Sequence, residues 1–168
     1  QTRERFAARF DIEARVRSEV KRVNPEKKTI MVHNLALGGL YEETYDKLIL
    51  SPGAAPVRPP LEGIDMEGIF TMRNVNDTDR VKEYIEEHDV KYALIVGAGF
   101  IGLEMAENLH ECGIQVSVVE MADQVMTPVD YEIATVIHQH FKSKSVGLHL
   151  QEAVIAFHPA EDGIDVVL

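Results

Sequence analysis

With one cysteine, no tryptophan and no long apolar run, the sequence is bounded first by what it cannot build. The lone thiol, Cys112, excludes an internal disulfide and fits a reducing compartment such as the cytoplasm. No apolar stretch approaches the ~20 residues of a membrane-crossing helix, and no signal-peptide pattern is present. Cations are the scarcer charge: 17 Lys and Arg against 28 Asp and Glu give a formal net charge of -11. Scattered as they are, the basic residues argue against nucleic acid or an anionic membrane as partner. Ligand spacing is also missing among the seven histidines. His138 and His140, two apart on an expected helix, point to different faces, so no metal site is expected. The chain of 168 residues can hold one sizeable core or two small ones. It opens on Gln1, and Ile164 to Leu168 reads as a strand cut off mid-sheet, so a piece of a longer protein is expected.

What the sequence does contain is concentrated between Tyr92 and Glu120. Tyr92-Ala93-Leu94-Ile95-Val96 is a continuous apolar run, the pattern of a strand buried on both faces of a parallel sheet. It leads directly into Gly97-Ala98-Gly99-Phe100-Ile101-Gly102. In this G-x-G-x-x-G, Gly97 permits a tight turn, Gly99 lets the backbone approach a pyrophosphate, and Gly102 lets the helix pack closely on the strand. Met105, Ala106 and Leu109 continue at helical spacing, and Cys112-Gly113 stops the helix. Cys112, at the far end from the positive helix terminus that would activate a thiol, reads as an inert core residue. A second strand, Gln115 to Val119, ends in Glu120, 23 residues after Gly97, where the dinucleotide pattern needs a carboxylate for the adenosine ribose hydroxyls. The glycine motif alone is weak. Strand before, helix after, second strand and terminal acid together point to a dinucleotide.

The flanking regions are read by periodicity. Gln1 to Phe10 is a short helix with Phe6 and Phe10 on one side; Ile12 to Val20 alternates as a half-buried strand. Asn24-Pro25-Glu26-Lys27 turns into a return strand, Thr29 to His33, and Gly38-Gly39 into a third, Leu40 to Thr44, giving an antiparallel meander. Lys47 to Leu50 reads as a short strand running into Ser51-Pro52-Gly53. Proline at 52, 56, 59 and 60 fixes an extended crossover that cannot join a central ladder. A helix is predicted from Asn76 as cap, with Asp79 at its third position. Met121 to Met126 is a loop at the carboxyl end of the sheet, where ligands sit in open α/β folds. The next helix is expected to be capped by Thr127, with an inner face of Ile133, Val136, Ile137, His140 and Phe141. Ala153 to His158 and Ile164 to Leu168 are closing strands.

Taken together, Tyr45-Asp46-Lys47-Leu48-Ile49-Leu50-Ser51-Pro52-Gly53-Ala54, the Gly97 to Glu104 segment and Val119-Glu120-Met121-Ala122-Asp123-Gln124-Val125-Met126 resemble the flavin-dependent pyridine nucleotide-disulfide oxidoreductases. The chain is most similar to their coenzyme A-disulfide reductase and NADH oxidase branch, and the resemblance covers nearly all of it. It implies an α/β fold with two parts: Gln1 to about Met72 as an incomplete FAD-binding portion with an antiparallel meander, and Arg73 to Leu168 as a Rossmann-like NADH-binding domain, a parallel sheet with flanking helices. It implies that Val20 meets the FAD adenine through its backbone, that Ser51, Pro52 and Gly53 pass near the flavin nucleotide, and that Glu104 approaches the flavin from the nicotinamide side. The physical reading of Glu104 as a solvated first-turn glutamate favoured by the helix dipole stands beside that. The parent implied is a homodimer that passes hydride from NADH to FAD and electrons on to a disulfide, persulfide or oxygen. The family's first FAD fingerprint, redox-active cysteine, Gly-Asp flavin motif and dimerisation domain are not in these residues, so no catalytic residue is expected here. A non-catalytic nucleotide-binding or redox-sensing module is the alternative reading.

Overall fold

The computed structural model describes residues 2–168, which divide into two compact units, one reaching to Gly53 and the other Ala54–Leu168. In the first, helix α1 (Arg3–Phe10) is capped by Thr2, whose hydroxyl accepts from the Arg5 N–H at 3.3 Å, and Phe6 packs on Phe10 with ring centroids 5.0 Å apart. Strands β1 (Ser18–Asn24), β2 (Thr29–Asn34) and β3 (Leu40–Thr44) form the expected antiparallel meander in the order β1-β2-β3. The strand predicted from Ile12 begins only at Ser18. Arg17 is left-handed (φ 53°) and breaks the extended run, and before it Arg15 is drawn to Glu13 and Glu43 at 2.8 and 2.6 Å. Lys47 to Leu50 forms no strand either. Its apolar run pairs with no other strand among the described residues, and Ile49 is exposed.

The second unit opens with irregular turns from Leu61 to Ile69 and then helix α2 (Val75–His88). Its cap is Asn74 rather than Asn76. Asn74 Oδ1 accepts from the Asp77 N–H at 3.2 Å while the Asp77 carboxylate accepts from the Asn74 and Arg73 N–H groups at 3.0 and 2.9 Å. This reciprocal box satisfies two orphan donors at once, and Arg80 neutralises the acid one turn on, so the start at Asn74 outcompetes the one two residues later. Then come β4 (Tyr92–Val96), α3 (Phe100–Glu111), β5 (Gln115–Glu120), α4 (Tyr131–Ser143), β6 (Gly147–Leu150) and a hairpin of β7 (Ala156–Ala160) and β8 (Gly163–Val167).

β4, β5 and β6 pair in parallel in the order β4-β5-β6, so the fold is α/β as expected. Central β5 carries the core: Val116 and Val118 are buried with Ala106 and Leu109 of α3 and Ala134 and Phe141 of α4. Val119 packs on the opposite face with Val154, Phe157, Leu61, Ile64 and Ile69. Each such valine contributes roughly 1.5 kcal/mol or more of burial. Residues 61–69 therefore help to cover the second face of the sheet. β4 is packed on both faces at Ala93 to Ile95, while Tyr92 and Val96 at its two ends are exposed. The helix predicted from Thr127 starts after Asp130, which holds extended φ/ψ, and its buried stripe runs through Ala134 and Phe141, leaving Ile133 and Val136 exposed.

Candidate functional site

The turn between β4 and α3 is shaped by its glycines. Gly97 sits at φ 101°, a region that penalises any side chain, and its N–H donates to the Val119 carbonyl at 2.8 Å, tying the turn to β5. A Cβ on Gly102 would lie 2.0 Å from the Gly97 carbonyl oxygen, so helix and turn touch backbone to backbone. Gly99 differs. It is the N-cap of α3 with ordinary dihedrals, it offers no capping side chain, and a Cβ there would meet nothing within 4 Å. The N–H groups of the first turn of α3 thus face open space with the positive end of the helix behind them, the arrangement that receives an anionic phosphate.

Between the two outer glycines, Ala98 is fully buried and held from both sides. Its N–H donates to Glu120 Oε2 at 2.8 Å, and its carbonyl accepts from the Met126 N–H at 2.9 Å. The other Glu120 oxygen accepts from the Ala122 N–H at 2.9 Å. Burial acts upward on this carboxyl, but the N–H groups of Ala122, Ala98 and Met121 outweigh it and hold it below the ordinary carboxylate value. Glu120 is therefore ionised at neutral pH. A carboxylate has about four acceptor positions, so with these three N–H groups at least one remains beside the turn.

Of the other residues picked from sequence, Phe100 and Ile101 are exposed at the start of α3, and Glu104 is exposed one turn further on. Glu104 is not in the first turn, where a helix dipole acts most strongly, which weakens the reading of it as a first-turn glutamate favoured by the dipole. It lines a groove of about 410 Å³ between α3 and α4. Val20 is half exposed beside a β-bulge that leaves Lys21 without a register partner on β2. Ser51, Pro52 and Gly53 are exposed and irregular, with Gly53 at φ 76°. These four belong to the first unit. Cys112 is exposed at the C-cap of α3, not in the core, because the chain turns away there into left-handed Gly113.

Sequence reading missed the part played by His138. Its Nε2 accepts from the Val125 N–H at 3.2 Å, fastening the loop after β5 to α4. The available signal was its position, four residues after Ala134 and three before Phe141, beside the buried stripe of the helix.

Among the described residues no helix is long and apolar enough to cross a membrane. The profile of the family described as "Pyridine nucleotide-disulphide oxidoreductase" matches residues 4–168. The coenzyme A disulfide reductase of Staphylococcus haemolyticus is 36% identical over 151 residues, which are 90% of this chain and 34% of that protein. The crystal structure of reduced CoADR-RHD from Bacillus anthracis superposes with a TM-score of 0.86 at 46% identity, over 99% of this chain and 31% of that one. The water-forming NADH oxidase of Lactobacillus brevis, solved with NADH bound, gives 0.81 at 30% identity, over 89% of this chain and 33% of that one. The chain thus spans about a third of the length of these relatives.

Proposed function

Since the chain belongs to the pyridine nucleotide-disulphide oxidoreductase family, we propose that its second unit binds NADH and serves an FAD-dependent oxidoreductase. That protein passes hydride from NADH to FAD and electrons on to a disulfide, persulfide or oxygen. The observation that carries the reading is the pairing of open space over Gly99 with an ionised Glu120 held at the same turn. A pyrophosphate fits where the Gly99 side chain is missing, receiving the N–H groups at the start of α3. Glu120 keeps at least one acceptor position for the adenosine ribose hydroxyls, while its others fix backbone amides that include those of Ala98 and Ala122. Gly97, Ala98, Gly99, Phe100, Ile101 and Gly102 form the grip, and Glu104 faces the nicotinamide end.

For FAD, which supplies the hydride acceptor when bound, Val20 offers backbone beside the bulge and Ser51 to Gly53 offers an exposed, irregular segment. These contacts are few, and the rest of a flavin site belongs to other parts of the parent, as do its acceptor chemistry and its homodimer interface. Calorimetric titration with NADH tests the proposal: saturable binding by this chain is expected, and no binding up to millimolar NADH would refute it.

A further inference from the structure

We infer that His138 is a positioning residue for dinucleotide binding, acting on the fingerprint turn through the loop Met121 to Val129; the inference rests on the NADH reading above. The path is continuous. His138 Nε2 accepts from the Val125 N–H at 3.2 Å, and Val125 is fully buried, so no water replaces that acceptor. The next residue, Met126, is held left-handed at φ 51°, a conformation that a methionine keeps only when its neighbours impose it. That conformation aims the Met126 N–H at the Ala98 carbonyl, 2.9 Å away, while its own carbonyl accepts from the Val129 N–H at 2.9 Å.

The Ala98 carbonyl belongs to the same planar peptide as the Gly99 N–H. Carbonyl and N–H of a trans peptide point in opposite directions, so fixing one aims the other, here at the start of α3 where a phosphate would sit. The loop has other ties: the Gln151 N–H to the Ala122 carbonyl at 3.0 Å and Gln124 Nε2 to the Val129 carbonyl at 2.8 Å. Of the hydrogen bonds that hold the loop, the one at Val125 is made by a side chain of α4, so it fastens loop to helix next to Met126. Tyr131, one edge-on ring away at 6.2 Å, packs against the imidazole.

The test compares the chain with His138→Gln, whose amide oxygen can take the place of Nε2, and with His138→Leu, which keeps bulk and loses the acceptor. NADH affinity is measured by calorimetry and Val125 amide protection by hydrogen exchange. His138→Leu is expected to bind NADH roughly tenfold more weakly, the effect of one lost buried hydrogen bond, with His138→Gln within about twofold of the parent chain. Parent binding with an unchanged His138→Leu overturns the inference, as does equal weakening in both variants. A Val125 amide that exchanges freely in the parent chain also overturns it, even if His138→Leu fails to fold. Absence of NADH binding by the parent chain would instead count against the NADH reading itself.

Discussion

Replacing Glu120 by alanine removes two things at once, and the structure separates their sizes. The carboxylate accepts from the Ala98 and Ala122 N–H groups at 2.8 and 2.9 Å, and it has at least one further acceptor position for a ribose hydroxyl. A hydrogen bond to a charged group is worth roughly 1.5–3 kcal/mol, so loss of one ribose contact alone weakens NADH binding about 10- to 150-fold. The 2′-phosphate of NADPH would place a second anion near Glu120, at a cost of roughly 1–4 kcal/mol per charge pair at about 4 Å, depending on how much water intervenes. Met121 and Ala122 supply no cation against it. The chain is therefore expected to favour NADH by at least about tenfold, and Glu120→Ala to narrow the gap by weakening NADH far more than NADPH. Calorimetric titration of both cofactors against both proteins decides it: equal affinities in the parent chain, or an unchanged ratio in Glu120→Ala, would refute the reasoning. The pH dependence has a definite sign. The folded carboxyl lies below its ordinary value, so its stabilisation is fully present above the unfolded value near 4.5 and is lost as pH falls through the lower folded value. Urea midpoints of the parent and Glu120→Ala should differ by a constant amount from pH 6 to 8 and converge in acid.

Gly99→Leu should abolish NADH binding with a melting temperature close to the parent's, since its side chain enters open space at ordinary dihedrals; calorimetry showing normal affinity would contradict the site. Gly102→Ala should instead lower stability by about 1–3 kcal/mol or more, read from denaturant unfolding, because its Cβ meets the Gly97 carbonyl. Exposed Cys112 should label completely with a thiol reagent in the folded chain, and the labelled protein should bind NADH as before, because the thiol sits at the opposite end of α3 from the turn. The purified chain should show no stoichiometric flavin absorbance and no NADH turnover with added FAD and disulfides; a yellow, active protein would mean that Val20 and the Ser51 to Gly53 turn form a fuller flavin site than their exposure allows.

The strand, turn, helix and strand around Gly97 were legible because each part is fixed by residues next to it: an apolar run, glycines at required dihedrals, and an acid at a strand end. Where two local signals competed, the sequence could not rank them. Asn74 and Asn76 are both good caps, and only the reciprocal bonds with Asp77 select the first. Ile12 to Arg17 alternates like a strand but lacks a partner, and alternation without a ladder has no hydrogen bonds to hold it. β6 was overlooked because Gly147-Leu148-His149-Leu150 is short and mixed; what makes it a strand is β5 alongside, with Gly147 admitting the Ser117 side chain, since a Cβ there would lie 2.4 Å from its hydroxyl. His138 escaped notice because its partner, a backbone N–H, leaves no trace in residue type.

The contiguity of β4, α3 and β5 bears on the order in which the molecule takes shape. Contacts between near neighbours in sequence close small loops and form with little entropic delay. The nucleotide grip and its brace thus depend on a stretch that runs from β4 to His138 of α4, whereas the hairpin of β7 and β8, which supplies Phe157 to the second face of the sheet, follows later in the chain. On a ribosome releasing the amino end first, the turn and its acid emerge while Val119 still lacks that cover. The late hairpin seals a surface behind a grip that is already assembled, so damage to β7 or β8 acts on the lifetime of the fold before it acts on the shape of the turn.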